Sequence, residues 1–281
     1  MIRRDEQDAF LLISQHDHAL ISGELAEQFG NSAFAKPQPL ESVIRGIRLH
    51  DCGWPLHDDR PTLNPAGLPL DVFETPRDIA LKVWSASADR AAAEDQYAGL
   101  LVSLHVLNLS VFVTTLPQAH DRSFNLESPP DRFAMAKFQQ HEIARQEDLR
   151  LKLGLRTDRP GHHKLPHDVT QKKEDQLTFN FRLLQAMDAI SLAACCTKPP
   201  SSQTQDVMPQ PGGAPLRLNL SRRGNDVVVD PWPFAGEAVE LMIPVCRIER
   251  NKFKDDDELR AAAAAGSSEV LNCHVVPAVN P

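Results

Sequence analysis

From Tyr97 to Val113 the sequence is apolar almost around the full circumference of a helix, because Leu100, Leu101, Val102, Leu104, Val106, Leu107 and Leu109 fall in every direction at about 100° per residue. A helix with no face to offer water has to be enclosed by other helices. A bilayer is not the alternative: no uncharged apolar run approaches the roughly 18 residues that a span needs, the nearest being Ala189 to Cys196. The segment therefore reads as the centre of a helical bundle.

The helices needed to enclose it are legible from spacing. Apolar residues recur at helical period in Gln15 to Phe29, Glu41 to Asp51, Arg77 to Trp84, Ala88 to Leu116, Asp131 to Leu153 and Thr170 to Ala194. After Pro215 the period changes to two. Leu216, Leu218 and Leu220 alternate with Arg217, Asn219 and Ser221, Gly224-Asn225 makes a turn, and Val227 to Val229, Ala238 to Ile248 and Val270 to Val276 follow as strands around a helix at Asp255 to Ala265. Ala9 to Ser14 is a further strand, which cannot be stable alone and is expected to join that C-terminal sheet. The expected fold is mainly α, a helical bundle with a small antiparallel β-sheet formed by the N-terminal strand and the C-terminal segment. Its parts are a helical domain over 15–197, a flexible Pro/Gly/Ser-rich connection over 198–215, and an α+β subdomain over 216–281 joined by strand 9–14.

Charge narrows the partners. Lys plus Arg number 30 against 38 Asp plus Glu, a net charge of -8, which argues against a nucleic acid polymer or an anionic membrane. Five cysteines without a CxxC pair, and an N-terminus too short in apolar residues for a signal peptide, point to a cytoplasmic chain with reduced thiols. No GxGxxG, phosphate-binding Gly-rich loop, GxSxG or HExxH is present.

Against this background five polar residues fall on inward helical stripes: His18, His50, Asp51, His105 and Asp188. His18 shares a face with Ile21, Leu25 and Phe29; His50 and Asp51 continue the row of Val43, Ile44 and Ile47; His105 follows Leu101 by four, and Asp188 follows Leu184 by four. Singly, His18 or His105 reads as a hydrogen-bonded core histidine, and His50-Asp51 as a helix-dipole partner and cap. A buried carboxylate, however, needs a cation or a set of donors, and imidazole with carboxylate suits Mn, Fe, Zn or Ni better than an all-oxygen Mg site. One or two divalent ions are the expected cofactor. Asp17, His57, Asp58 and Asp59 stand nearby in sequence as groups supporting the ligands or facing a substrate, or as a solvated polar loop.

The string His50-Asp51-Cys52-Gly53-Trp54 resembles the HD-x-G segment of the HD-domain metal-dependent phosphohydrolase superfamily. That resemblance spans about Gln15 to Ala194 and implies a helical bundle in which His18 is the early ligand, His50-Asp51 the doublet and Asp188 the late ligand, with His105 similar to the extra histidine of two-metal members. His120 and His141 are further candidates for that second position. Trp54 departs from the pattern, since many relatives carry Lys there. The chain also resembles the uncharacterised bacterial family DUF3891 through QHDHA, HDCGW and LLQAMDAISL. The superfamily implies hydrolysis of a phosphate ester, with a nucleotide as one candidate, Asp51 bridging metals or orienting the attacking water, and a small phosphorylated molecule as partner. Arg77, Lys82 and Lys137 are candidate phosphate contacts. Two other outcomes remain open on the same scaffold: iron-dependent oxygen chemistry, and a binding or structural protein with a vestigial site.

Overall fold

The computed structural model describes residues 1–115, 128–155, 167–197 and 204–278. Two strands open the chain, β1 (Ile2–Asp5) and β2 (Ala9–Ile13), and Ser14 alone separates β2 from α1 (Gln15–Gln28). Ser14 is the cap that makes so abrupt a change possible, its Oγ accepting from the Asp17 amide. The helical layer continues with α2 (Leu40–Arg48), the single turn α3 (Pro55–Asp58), α4 (Arg77–Glu94), α5 (Gln96–Thr115), α6 (Pro129–Lys152) and α7 (His167–Cys195). Strands β3 (Thr204–Val207), β4 (Leu216–Arg223), β5 (Asp226–Asp230) and β6 (Val239–Glu249) follow, then α8 (Asp256–Ala265) and β7 (Ser267–Pro277).

The seven strands form one sheet in the order β1-β2-β6-β7-β5-β4-β3. β2 lies between β1 and β6, with Phe10 opposite Ile248 and Leu12 opposite Cys246, so the N-terminal strand does join the C-terminal sheet. One face of the sheet supplies Ile13, Leu218, Val227, Leu241, Ile243 and Val275 to a core shared with Ile21 and Leu25 of α1 and Leu183, Met187 and Ile190 of α7. On the other face Phe10, Leu12 and Ile248 pack under Leu259 of α8. A third apolar cluster joins Trp54 to Val83, Trp84 and Ala88 of α4, Val102 and Val106 of α5 and Phe138 of α6. α5 is enclosed over its first part, where Leu100, Leu101, Val102 and Val106 have no exposed surface, whereas Val111 is 44% exposed, so the expected all-round burial holds only in part. Among the described residues no helix is long and apolar enough to cross a membrane.

Several expectations are corrected. The sheet is mixed rather than antiparallel, because β5 pairs β7 in parallel. It is not confined to the N-terminal strand and the segment after Pro215: β1 precedes Ala9, and β3 lies within the stretch read as a flexible connection, pairing β4 from Thr204↔Asn219 to Val207↔Leu216. The break in the central helices falls later than Trp84. α4 runs unbroken to Glu94, and Asp95 then caps α5 by accepting from the amides of Tyr97 and Ala98. Finally, α2 ends at Arg48, so His50 and Asp51 stand in the turn beyond it rather than on the helix.

Candidate metal centre

Four segments converge where α1, the turn after α2, α5 and α7 meet. His18 Nε2 lies 2.9 Å from Asp188 Oδ1, His50 Nε2 is 3.6 Å from both Asp188 Oδ1 and Asp51 Oδ2, and His105 Nε2 is 3.9 Å from Asp188 Oδ2. The five residues form two triads, His18/His50/Asp51 and His50/His105/Asp188, within each of which one ligand atom per residue lies no more than 4.8 Å from the others. The imidazoles meet edge to face, with centroids 5.3 Å apart for His18 and His50 and 5.1 Å for His50 and His105.

The surrounding hydrogen bonds fix which atoms face inward. Ser191 Oγ, one turn beyond Asp188 on α7, donates to the His18 main-chain oxygen at 3.0 Å and is hydrogen-bonded to His18 Nδ1 at 2.7 Å. His50 Nδ1 donates to the Ile47 carbonyl at 2.7 Å. His50 thus keeps a proton on Nδ1 and turns Nε2 toward the carboxylates, while the Ser191 contact turns His18 Nε2 toward Asp188. Trp54 Nε1 donates to Asp51 Oδ1 at 3.0 Å, which leaves Oδ2 on the side of His50. Yet His50 Nε2, fully buried, has no hydrogen-bond partner.

A buried imidazole nitrogen flanked by two carboxylates is a set of donors that suits a divalent cation in exchange for the His50 proton. Donors about 2.1 Å from a common ion stand about 3.0 Å apart at right angles and about 4.2 Å apart when opposite. The separation of 3.6 Å within the first triad, and those of 3.6 and 3.9 Å within the second, fit that range. Among the described residues no Arg or Lys forms an ion pair with Asp51 or Asp188, whose salt-bridge partners are the histidines.

Protonation follows the same logic. Burial by itself favours the neutral ring of His50, but the Asp51 and Asp188 charges and the Ile47 carbonyl outweigh it and push its pKa up to about 9. Burial pushes the Asp51 carboxyl up, against the pull of His50 and His18. Asp188 is held well below the usual carboxylate range, because the His18 and His50 imidazoles beside it, with His105 behind them, overcome its burial. His105 has no comparable compensation, and burial brings it down to about 4.

Other residues singled out in the sequence have different partners. Asp17 is bonded to the Ser14 hydroxyl at 2.6 Å within the α1 cap. Asp58 accepts from the Gln15 amide at 2.8 Å and the Met1 nitrogen at 2.6 Å, so it ties the start of α1 to α3, while its charge still raises the Asp51 pKa. His57 is half-buried against the Trp54 ring at 6.4 Å, its pKa lowered by burial, and Asp59 is exposed. His141 accepts from Arg145 on an exposed face of α6; His120 lies outside the described residues. Arg77 pairs with Asp131, and Lys82 and Lys137 are exposed. Sequence reasoning missed Ser191 and gave Trp54 no role at the site, although each stands three residues after a ligand, the spacing at which a helical or turn partner is found.

The model of a family described as "Protein of unknown function (DUF3891)" matches residues 1–250. No curated protein and no solved structure matches the chain.

Proposed function

The chain belongs to the DUF3891 family, and from that premise together with the geometry of the His/Asp cluster we propose that it is a metal-dependent phosphohydrolase of HD-like design, acting on a small phosphate ester. The observation that carries the reading is His50 Nε2, buried without a partner between the carboxylates of Asp51 and Asp188. His18, His50, Asp51 and Asp188 would hold a divalent ion, with His105 beside them. When bound, such an ion polarises a phosphoryl oxygen and lowers the pKa of a water molecule toward neutrality.

The chain's own residues do the rest. Ser191 and the Ile47 carbonyl orient the two imidazoles. Trp54 holds Asp51 so that Oδ2 faces the cluster, where it can orient the water. Substrate approaches past Asp188, whose side chain is 16% exposed while those of His18 and His50 are 1% and 0% exposed. His105, neutral at ordinary pH, can accept or hold a proton at Nε2 beside Asp188 Oδ2.

Metal analysis of protein purified without chelator, followed by a screen of p-nitrophenyl phosphate and nucleoside monophosphates, tests the reading. Turnover that chelator abolishes, that added Mn(II) restores and that His50→Ala lacks is the expected result; a metal-loaded chain inert toward every phosphoester overturns it. One observation favours a second reading, iron-dependent oxygen chemistry on an uncharged substrate. The position that carries Lys in many HD phosphohydrolases holds the neutral Trp54, and its N–H is already engaged with Asp51. Oxygen uptake by the Fe(II)-loaded protein is its test. A chain that takes up no ion from Mn(II), Zn(II), Ni(II) or Fe(II) is a binding or structural protein with a vestigial site.

A further inference from the structure

We infer that the cluster is a one-ion centre, and that Trp54 is the positioning residue that fixes Asp51 as a one-oxygen ligand to that ion. This deepens the reading above and presupposes that the cluster binds a divalent cation at all. Three observations carry it, and the first is that the two triads overlap. Both contain His50, and His50 has a single nitrogen to give, because Nδ1 is committed to the Ile47 carbonyl at 2.7 Å. One imidazole lone pair serves one cation. When the first triad is filled, the second retains only His105 and Asp188, and Asp188 Oδ1 already faces His18 Nε2 at 2.9 Å. A second ion would be left with His105 Nε2 and Asp188 Oδ2 as its protein donors.

The second observation concerns the bridge. Paired ions about 3.5 to 4 Å apart need a group that touches both, and Asp51 is the carboxylate for that task in the two-metal reading. Its Oδ1, however, accepts from the Trp54 indole at 3.0 Å. Indole nitrogen is a donor only, so its proton takes one of the lone-pair sites of that oxygen and draws on the charge that a second cation would need. Nor is Trp54 free to swing aside. It is 2% exposed within the cluster of Val83, Trp84, Ala88 and Phe138. The residue before it is clamped as well: the Gly53 amide donates to Ser87 Oγ at 2.9 Å, and a Cβ at Gly53 would stand 2.1 Å from the Val83 carbonyl.

The third observation is charge. The cluster contains two carboxylates, Asp51 and Asp188, and among the described residues neither has an Arg or Lys ion-pair partner. One divalent ion with two ionised carboxylates is neutral. A second would bring two uncompensated positive charges into a buried site, which is strongly unfavourable.

The experiment strips the full chain with EDTA and titrates it with Mn(II), reading bound metal by elemental analysis after desalting and its environment by electron paramagnetic resonance. One Mn(II) per chain with the spectrum of an isolated ion is expected, and His105→Ala should still bind one. Trp54→Phe keeps the apolar body but loses the donor, so it should bind Mn(II) at least about tenfold more weakly with an altered spectrum. Trp84→Phe, in the same apolar cluster, is the packing control and should leave affinity and spectrum unchanged, while thermal midpoints report whether either variant folds. Two ions per chain with an exchange-coupled spectrum, or equal Mn(II) affinity and spectrum for Trp54→Phe and the native chain, overturns the inference; so does a chain that binds none. One Mn(II) per chain without phosphoester turnover leaves the one-ion centre standing and removes the phosphohydrolase. Two ions with turnover do the reverse.

Discussion

Ser191 Oγ meets His18 twice, 2.7 Å from Nδ1 and 3.0 Å from the main-chain oxygen. A single hydroxyl thereby fixes the ring orientation, fastens α7 to α1, and aims His18 Nε2 at Asp188 Oδ1 on the preceding turn of α7. Replacing it with a methyl group tests how much of the centre depends on that orientation. In Ser191→Ala the buried His18 Nδ1 loses its hydrogen-bond partner, a loss of about 1–3 kcal/mol in stability. Affinity for Mn(II) should fall about tenfold or more. Thermal midpoint and metal titration report the two effects separately, and unchanged affinity in a folded variant would remove Ser191 from the metal centre.

Asp51→Asn separates the metal-loaded from the metal-free state. Burial opposes ionisation of Asp51, so in metal-free protein the neutral amide leaves the thermal midpoint unchanged or raises it. In the loaded protein the amide lacks the charge that an ion needs. Metal occupancy and any phosphoester rate should drop at least tenfold, about 1.4 kcal/mol or more. Elemental analysis and melting curves with and without Mn(II) should therefore rank the two proteins in opposite orders.

The pH dependence of stability changes when metal is added. The His50 pKa rises from 6.5 to about 9 in the fold, so the folded state binds this proton more tightly. Its contribution is fully present below 6.5 and is lost as pH rises through about 9. His105, brought down to about 4, works the other way: its contribution is present above 6.5 and lost as pH falls toward about 4. Asp188, also depressed, is stabilising above 3.8 and loses that effect as pH drops through its folded value. Metal-free protein should therefore weaken on the alkaline side, whereas metal-loaded protein, whose His50 has already given up its proton, should not. Metal uptake below about pH 9 should release that proton, with affinity rising about tenfold per pH unit. Calorimetric titration in two buffers of different ionisation heat measures the release.

Gly53→Ala probes the clamp beneath the site. The added Cβ would stand 2.1 Å from the Val83 carbonyl and 2.7 Å from the Ser87 amide, both main-chain atoms of α4 that cannot step aside cheaply. Overpacking of this kind costs about 1–3 kcal/mol, and in a chain of this size each kcal/mol lowers the midpoint by about 2–4 °C. Because Gly53 joins Asp51 to Trp54, metal affinity should fall with it. An unperturbed midpoint would show that the contact with α4 yields.

Most of the candidate site was legible because its residues break an apolar stripe. His18, His105 and Asp188 each replace the residue that a core face calls for, and all three point inward. The same rule also flags Glu142, which is fully buried on α6 but is met at Oε2 by Ser103 Oγ at 2.7 Å and by the cationic Arg145 Nε at 3.0 Å, while Oε1 has no partner. Inwardness alone does not make a ligand; the distinction lies in whether protein donors answer the charge. Strand β1 escaped because its inward positions are Ile2 and Arg4, and an arginine does not look like a core residue. The Arg4 guanidinium is nevertheless buried, bonded to the Ala194 carbonyl at 2.9 Å and to Asn225 Oδ1 at 2.8 Å. β3 escaped because it is an edge strand with a polar sequence, and the β5–β7 pairing because parallel neighbours are set by tertiary contacts that no local pattern records.

The strand order has a bearing on how the molecule matures during synthesis. All five candidate ligands lie between residues 18 and 188, yet β2, which leads into α1 through Ser14 alone, finds its inner neighbour only when Val239–Glu249 has been made. Until then the strand that sets the direction of α1 has only the short β1 to lean on, and Arg4 waits for Ala194 and Asn225. Contacts so distant along the chain close late. A ribosome thus releases all five candidate ligands before it has made β6, the strand that supports the entry to α1.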